Sequence, residues 1–129
     1  MKTIKEKQEY LKDYYRIKLS IKCIEDDLKE LYEISNSIKN MEYDKVKNIV
    51  TQIIDLENKK ILETDKLLKK RKEIEEKIKS VQDENCRLLL KYRYIMNLTW
   101  EEVAEKMYFC YQYVFILHKK ALGMISIDE

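Results

Sequence analysis

Residues 85–122 read NCRLLLKYRYIMNLTWEEVAEKMYFCYQYVFILHKKAL, and this stretch decides the fold of the C-terminal part of the chain. Leu88, Leu89 and Tyr92 recur at helical spacing and predict a first helix over residues 84–95. Asp83 stands directly before it as a candidate N-cap. The stretch therefore opens with one helix of about three turns.

Two further helices follow after short breaks. Asn97 and Leu98 interrupt the apolar spacing, and Thr99 with Glu102 three residues later forms the capping-box signature of a helix over residues 100–107. A turn at 108–109 precedes a third helix over residues 110–122. We expect Gly123, the only glycine of the chain, to close that helix at the C′ position.

The second and third helices have the offsets of a helix-turn-helix unit. This motif joins two helices by a turn of three to four residues and packs them through apolar residues at fixed positions. Here Val103 and Ala104 are expected to face inward on the first helix of the pair, and Met107, Val114 and Leu117 complete the wedge. A three-helix packing unit that touches no nucleic acid has the same spacing.

Three segments of this stretch, LLLKYRYI, LTWEEVAEKM and VFILHKKAL, resemble the fourth conserved region of bacterial RNA polymerase sigma factors. More closely, they are similar to small phage and prophage transcriptional regulators of the ArpU/RinA-like kind. The resemblance covers residues 78–122, over a third of the chain. It implies a regulator of phage-type genes that binds promoter DNA, with RNA polymerase as a further candidate partner.

The third helix departs from the family pattern at several positions. The serine, the Arg-Gln pair and the later basic residue that are usual there are replaced by Cys110, Gln112, Tyr113 and Ile116. The turn position that favours Gly or Asn holds Tyr108, where a positive φ costs on the order of 1 kcal/mol. These departures concern affinity for DNA more than the fold.

If the third helix enters a major groove, the residues outside its core face contact DNA. Val114, Leu117 and Ala121 are expected to pack inward, with His118 at the core or its rim. Glutamine pairs with adenine edges, isoleucine contacts thymine methyl groups, and lysine neutralises phosphates. The candidate DNA-contacting residues are Thr99, Tyr111, Gln112, Tyr113, Ile116, Lys119 and Lys120.

The same helix face supports a competing interpretation. Tyr111, Tyr113, Phe115 and Ile116 form a surface that is unusually apolar for a groove-facing helix, and aromatic side chains are enriched in protein interfaces. On this alternative the domain keeps a DNA-binding shape but contacts RNA polymerase or another protein. A purely structural helical scaffold is a third possibility.

The N-terminal part of the chain predicts two long helices. Apolar residues in steps of three and four predict a coiled-coil seam. Its positions are Tyr10, Tyr14, Ile17, Ile21, Ile24, Leu28, Leu31, Ser35 and Ile38. A corner is expected at residues 40–44 with Asp44 as N-cap. A second helix to about Ser80 carries Val46, Val50 and Ile53, then Ile54, Ile61 and Leu68 seven apart, then Ile74, Ile78 and Val81.

These two helices are expected to form an antiparallel hairpin. The sequence thus predicts an all-α protein with a helical hairpin over residues 1–82 and a helix-turn-helix domain over residues 83–129. A two-helix hairpin covers its apolar stripe thinly. We therefore expect a homodimer formed through the N-terminal helices.

The composition narrows the functional classes. The chain of 129 residues has no proline, 39% charged residues and a net charge of +2, and residues from 84 onward carry six basic and six acidic side chains. A single histidine and no glycine-rich loop argue against an enzyme, a cofactor or a metal site. Cys23, Cys86 and Cys110 are expected to be free thiols of a cytoplasmic protein, with no membrane segment.

Overall fold

The computed structural model describes residues 2–37 and 42–127. Five α-helices cover most of this range: α1 (Ile4–Ser37), α2 (Tyr43–Lys79), α3 (Glu84–Leu90), α4 (Trp100–Met107) and α5 (Tyr111–Met124). No strand occurs among the described residues, so the predicted all-α class is confirmed. Across these residues no helix has the length and apolar character needed to cross a membrane.

The contacts divide the described chain into two compact units. One unit combines residues 2–16 with residues 69–127, and the other comprises residues 17–37 and 42–68. These units are groups of contacting residues and are not the domains predicted from the sequence. The predicted domains, residues 1–82 and 83–129, stay a prediction.

Helix α1 begins earlier than the heptad pattern indicates. The Thr3 hydroxyl accepts a hydrogen bond from the Glu6 backbone amide at 3.1 Å, and the Glu6 carboxylate accepts from the Thr3 amide at 3.2 Å. These reciprocal bonds form a capping box, which satisfies two amides at the helix start. The Thr-x-x-Glu spacing of residues 3–6 is the sequence signal by which this helix start can be recognised.

In the unit of residues 2–16 and 69–127, α1 and α2 contact each other through side chains. Leu11 and Tyr14 are buried, as are Ile74 and Ile78. The Tyr10 hydroxyl donates to the Glu73 carboxylate. The Tyr14 hydroxyl accepts from Arg71 Nη1 at 3.5 Å. Ascending positions in α1 thus meet descending positions in α2, as antiparallel helices require.

In the unit of residues 17–37 and 42–68, the predicted seam of α1 is largely confirmed. Ile21, Ile24 and Leu28 are buried, while Ile17 and Leu31 are half-buried. The Tyr32 hydroxyl donates to the Glu57 carboxylate of α2 at 3.1 Å. Ile38 and the expected corner at residues 40–41 lie outside the described residues.

Two predictions about α2 are wrong. Asp44 is the second residue of the helix and not its N-cap, because the Glu42 carbonyl already accepts from the Lys45 and Val46 amides. Ile54, Ile61 and Leu68 are exposed. The partly buried apolar positions of this part of α2 are Ile49, Ile53, Leu56 and Leu67. Residues at that spacing lie on one face of the helix. Ile54, Ile61 and Leu68, which we call the exposed row of α2, lie on a different face.

The helix predicted over residues 84–95 changes its winding halfway. Asp83 caps α3 by accepting from the Cys86 amide at 3.0 Å, as expected. From Lys91 to Ile95 the chain forms a π-helical turn, in which the Met96 amide donates to the Lys91 carbonyl at 3.0 Å. The extra residue in this turn rotates the buried face.

The predicted apolar stripe of this helix is therefore partly wrong. Leu89 is buried, but Leu88 is exposed and Tyr92 only half-buried. The core side chains after it are Leu90, Tyr94 and Ile95. The predicted stripe assumes 3.6 residues per turn along the whole helix. The π-helical turn interrupts that repeat, so the residues after it that face the core differ from the predicted ones.

Gly123 does not close the third helix. Helix α5 continues to Met124, the Ile125 amide donates to the Ala121 carbonyl at 3.0 Å, and Gly123 has no positive φ. Ile125 and Ile127 are buried. Their packing favours extension of the helix past the glycine, and the predicted C′ role is wrong.

Candidate nucleic-acid interface

A left-handed residue separates α4 from α5. The Thr99 hydroxyl accepts from the Glu102 amide at 3.2 Å while the Glu102 carboxylate accepts from the Thr99 amide at 3.0 Å, so the predicted capping box at the start of α4 is confirmed. Tyr108 follows the helix with φ 57° and ψ 37°. Cys110 is the N-cap position of α5 and has extended backbone geometry. The two helices therefore remain distinct and do not merge into one rod.

The inner faces of α4 and α5 form one apolar cluster. Val103 and Ala104 of α4 are buried, and so are Val114, Leu117 and Ala121 of α5, which confirms their predicted inward placement. The small Ala104 side chain permits a close helix crossing.

Aromatic rings extend this packing from the start of α4 onto α5. The Trp100 ring centroid lies 4.5 Å from that of His118 and 5.3 Å from that of Phe115. Because Trp100 is the first residue of α4, these contacts fix how that end of the helix lies against α5.

The seven candidate DNA-contacting residues are all exposed. Gln112, Ile116 and Lys119 follow one another at steps of four and three residues, so they share the face of α5 opposite Val114 and Ala121. Ile116 is the most prominent apolar member of this face, with 66% of its surface exposed. We call Gln112, Ile116 and Lys119 the outer face of α5.

The remaining candidates lie at the edges of that face. Tyr111 contacts Phe115 edge-on, with ring centroids 4.8 Å apart, on the side towards Trp100. Tyr113 contacts Phe109 at 4.9 Å on the other side. Lys120 Nζ lies 3.2 Å from the Asp83 carboxylate, and this ion pair links α5 to the N-cap of α3. Lys120 therefore has a structural partner that the sequence did not indicate.

Charge is distributed unevenly around this interface. The exposed side of α4 carries three carboxylates, those of Glu101, Glu102 and Glu105, against the one cation of Lys106. The Glu102 carboxylate has a lowered pKa because it accepts hydrogen bonds from Thr99. The outer face of α5 carries the cation of Lys119. A polyanion is therefore expected to approach across α5 and not across the acidic side of α4.

A buried polar network lies behind the interface. Tyr94 and His118 are buried, and the Tyr94 hydroxyl is 2.6 Å from His118 Nε2. The Gln8 side chain also hydrogen-bonds to Tyr94. Burial raises the pKa of Tyr94 to about 12. Burial, followed by the positive charges of Arg93 and Lys12, lowers the pKa of His118 to about 4. His118 is thus neutral at pH 7.

Arg93 stabilises the turn before α4. Arg93 Nη1 donates to the Leu98 carbonyl at 2.8 Å, and the guanidinium lies 4.5 Å from the centroid of the Trp100 ring. In the capping box the Glu102 carboxylate accepts from the Thr99 amide, which a guanidinium cannot do because it has no acceptor.

The three cysteines differ in environment. Cys23 and Cys110 are exposed free thiols, whereas Cys86 is buried, and burial raises the pKa of its thiol. A raised thiol pKa disfavours the reactive thiolate, so Cys86 belongs to the core of α3.

Comparison of the chain with protein-family models, with curated proteins and with solved structures finds no match.

Proposed function

We propose that this chain is a phage-type transcriptional regulator that binds promoter DNA through α4 and α5. One observation carries the proposal. Two helices separated by the left-handed Tyr108 contact each other with Val103 and Val114 both buried, and they leave the outer face of α5 exposed. Helix-turn-helix proteins place the second of two such helices in the major groove, which supports the proposal.

The outer face of α5 supplies the chemistry for such contacts. The Gln112 amide suits an adenine edge, Ile116 suits a thymine methyl group, and Lys119 suits a phosphate. Thr99, Tyr111 and Tyr113 would contact the DNA backbone beside this face. The resemblance of residues 78–122 to sigma-factor-like regulators points to the same use.

In this proposal α1 and α2 form a helical hairpin over residues 1–82 that carries the helix-turn-helix domain of residues 83–129. The contacts of Tyr10 with Glu73 and of Tyr14 with Arg71 support antiparallel packing in the unit of residues 2–16 and 69–127, and Tyr32 contacts Glu57 in the other unit. The hairpin also serves in homodimer formation, for which the exposed row on α2 provides a surface.

A second candidate function rests on the aromatic edge of α5. Tyr111, Phe115 and Ile116 are exposed beside Trp100 and form an apolar surface, which protein interfaces favour. On this alternative α5 contacts RNA polymerase or another protein without reading DNA.

DNA binding is tested by gel shift with the full chain and a duplex from the region upstream of its own gene. Replacement Lys119→Ala should weaken binding of all duplexes and reduce the slope of log affinity against log salt by about one, because one phosphate contact is lost. Replacement Gln112→Ala should instead cost roughly ten-fold in affinity for the preferred duplex only.

Lys106→Ala is the matched control, since Lys106 is an exposed lysine on α4, outside the outer face of α5. Its affinity should equal that of the unaltered chain. A chain that shifts no duplex even at low salt contradicts the proposal and favours the protein-partner alternative.

A further inference from the structure

A cationic cavity lies beside the start of α4. It has a volume of about 220 Å³ and belongs entirely to the unit of residues 2–16 and 69–127. Its lining residues are Lys12, Tyr15, Arg93, Tyr94, Asn97 and Thr99. These supply two cations, three hydroxyl groups and an amide, and no carboxylate is among them. That composition suits an oxyanion.

Both cations retain the capacity to bind a ligand. Lys12 Nζ lies 3.8 Å from the Glu9 carboxylate, and both side chains are more than 40% exposed, so this ion pair is weak. Arg93 uses one nitrogen for the Leu98 carbonyl, and a guanidinium has five N–H donors.

Thr99 lies at the edge of the cavity at the start of α4. Its hydroxyl accepts from the Glu102 amide and also hydrogen-bonds to the Glu102 carboxylate, so it belongs to the capping box. Lys12 and Arg93 therefore provide the donors for a ligand, one from α1 and one from the π-helical turn.

The field of the two cations reaches the interior behind the cavity. Arg93 and Lys12 both contribute, after burial, to the lowered pKa of His118. Tyr94 connects the two places, because it lines the cavity and its hydroxyl lies 2.6 Å from His118 Nε2. An anion in the cavity would offset the positive charges of Lys12 and Arg93, and the pKa of His118 would therefore rise.

We propose that this cavity binds a phosphate group, held by Lys12 and Arg93. Charge-assisted hydrogen bonds of this type are the strong ones in proteins. Its use for a phosphate of the DNA backbone, next to α4 and α5, rests on the proposed function. Binding of free phosphate does not.

The first test titrates the full chain with inorganic phosphate at constant ionic strength, with chloride as the balancing anion. The pKa of His118, followed by NMR, should rise by roughly one unit on saturation, because a nearby negative charge favours the imidazolium. Fluorescence of Trp100, the only tryptophan, should change over the same concentration range, since Arg93 lies against its ring.

Replacement Lys12→Gln should lower the affinity for phosphate about ten-fold, the loss of one charge-assisted hydrogen bond. The substitution itself changes the pKa of His118, so the quantity compared between the variants is the change in that pKa when phosphate is added. Lys22→Gln is the matched control on the same helix, because Lys22 is exposed and does not line the cavity. A His118 pKa that does not respond to phosphate overturns the proposal.

The second test places Lys12→Gln and Lys22→Gln in the gel shift. A backbone contact predicts a several-fold loss of DNA affinity and a salt slope smaller by about one for Lys12→Gln alone. If DNA binding depends on Lys119 but not on Lys12, the proposed function survives and the backbone contact is overturned. If phosphate shifts His118 but no duplex binds, the cavity is a site for free phosphate and the proposed function fails.

Discussion

His118 shows how a single residue acquires a role from its surroundings. The residue is 8% exposed, its imidazole is hydrogen-bonded to Tyr94 and packs at a tilt against the Trp100 ring, and Arg93 and Lys12 are nearby cations. The sequence indicated a core or rim histidine on α5, which is confirmed. It gave no signal for Tyr94 as the partner, because the two residues are 24 positions apart and on different helices.

The stability of the fold should fall as pH is lowered through the His118 titration. Above the unfolded pKa near 6.5 both states are neutral, and between 6.5 and about 4 only the unfolded state gains the proton. The free energy of unfolding should therefore drop by about 2 kcal/mol between pH 7.5 and pH 5. Urea unfolding of the chain at the two pH values measures this difference.

His118→Gln is the control for that experiment, since glutamine can hydrogen-bond to Tyr94 but does not titrate. Its unfolding free energy should change much less over the same pH interval. An equal loss of stability in both proteins would assign the effect to other groups.

At the level of elements, helix ends decide how the C-terminal helices meet. Thr99 starts α4 through a capping box, and Tyr108 ends it in the left-handed conformation. The first was predicted because its signals lie within four residues. For Tyr108 the sequence indicated only that a left-handed conformation would be energetically unfavourable. The packing of the helices on either side holds the tyrosine in that conformation. Asn97, with φ 56°, ends the preceding helix in the same conformation, which asparagine adopts more readily.

Replacement of Tyr108 by glycine should stabilise the fold. The Tyr108 side chain is 94% exposed, so its removal loses little packing, while glycine adopts the left-handed conformation without a steric penalty. The expected gain is about 1 kcal/mol in the free energy of unfolding. Tyr108→Ala separates the two effects, because alanine loses the ring but keeps the penalty. If the alanine variant is as stable as the glycine variant, backbone strain at this position is not the cause.

At the level of the whole molecule, α2 presents more apolar surface than the described chain covers. The exposed row of α2 (Ile54, Ile61 and Leu68) lies along it together with the exposed Val50, separate from the half-buried Ile53. An apolar row at heptad spacing is typical of a helix that pairs with another helix. We therefore place the proposed homodimer contact on this row, within the N-terminal helices.

Ile61→Lys should weaken the dimer at least ten-fold, because each copy loses a buried isoleucine and gains a charge at the contact. Sedimentation equilibrium at tens of micromolar measures the dissociation constant. Gln52→Lys adds the same charge on the opposite side of α2 and should leave the constant unchanged. An unaltered chain that remains monomeric under these conditions contradicts the homodimer.

The helical class, the caps at Asp83 and Thr99, and the inward face of α5 could all be predicted from the amino-acid sequence. These features depend on residues within one or two turns of each other, where spacing and side-chain hydrogen bonds act directly. The candidate DNA-contacting residues follow from the same spacing, and their exposure agrees with it.

Three features became clear from the folded chain alone: which stripe of α2 faces α1, where the π-helical turn lies, and how far α5 continues past Gly123. The fold also brings Lys12, Arg93 and Thr99 to one cavity and Tyr94 to His118. These outcomes depend on contacts between residues far apart in the chain. Several local patterns satisfy the helix period equally well, and burial against a distant partner selects among them.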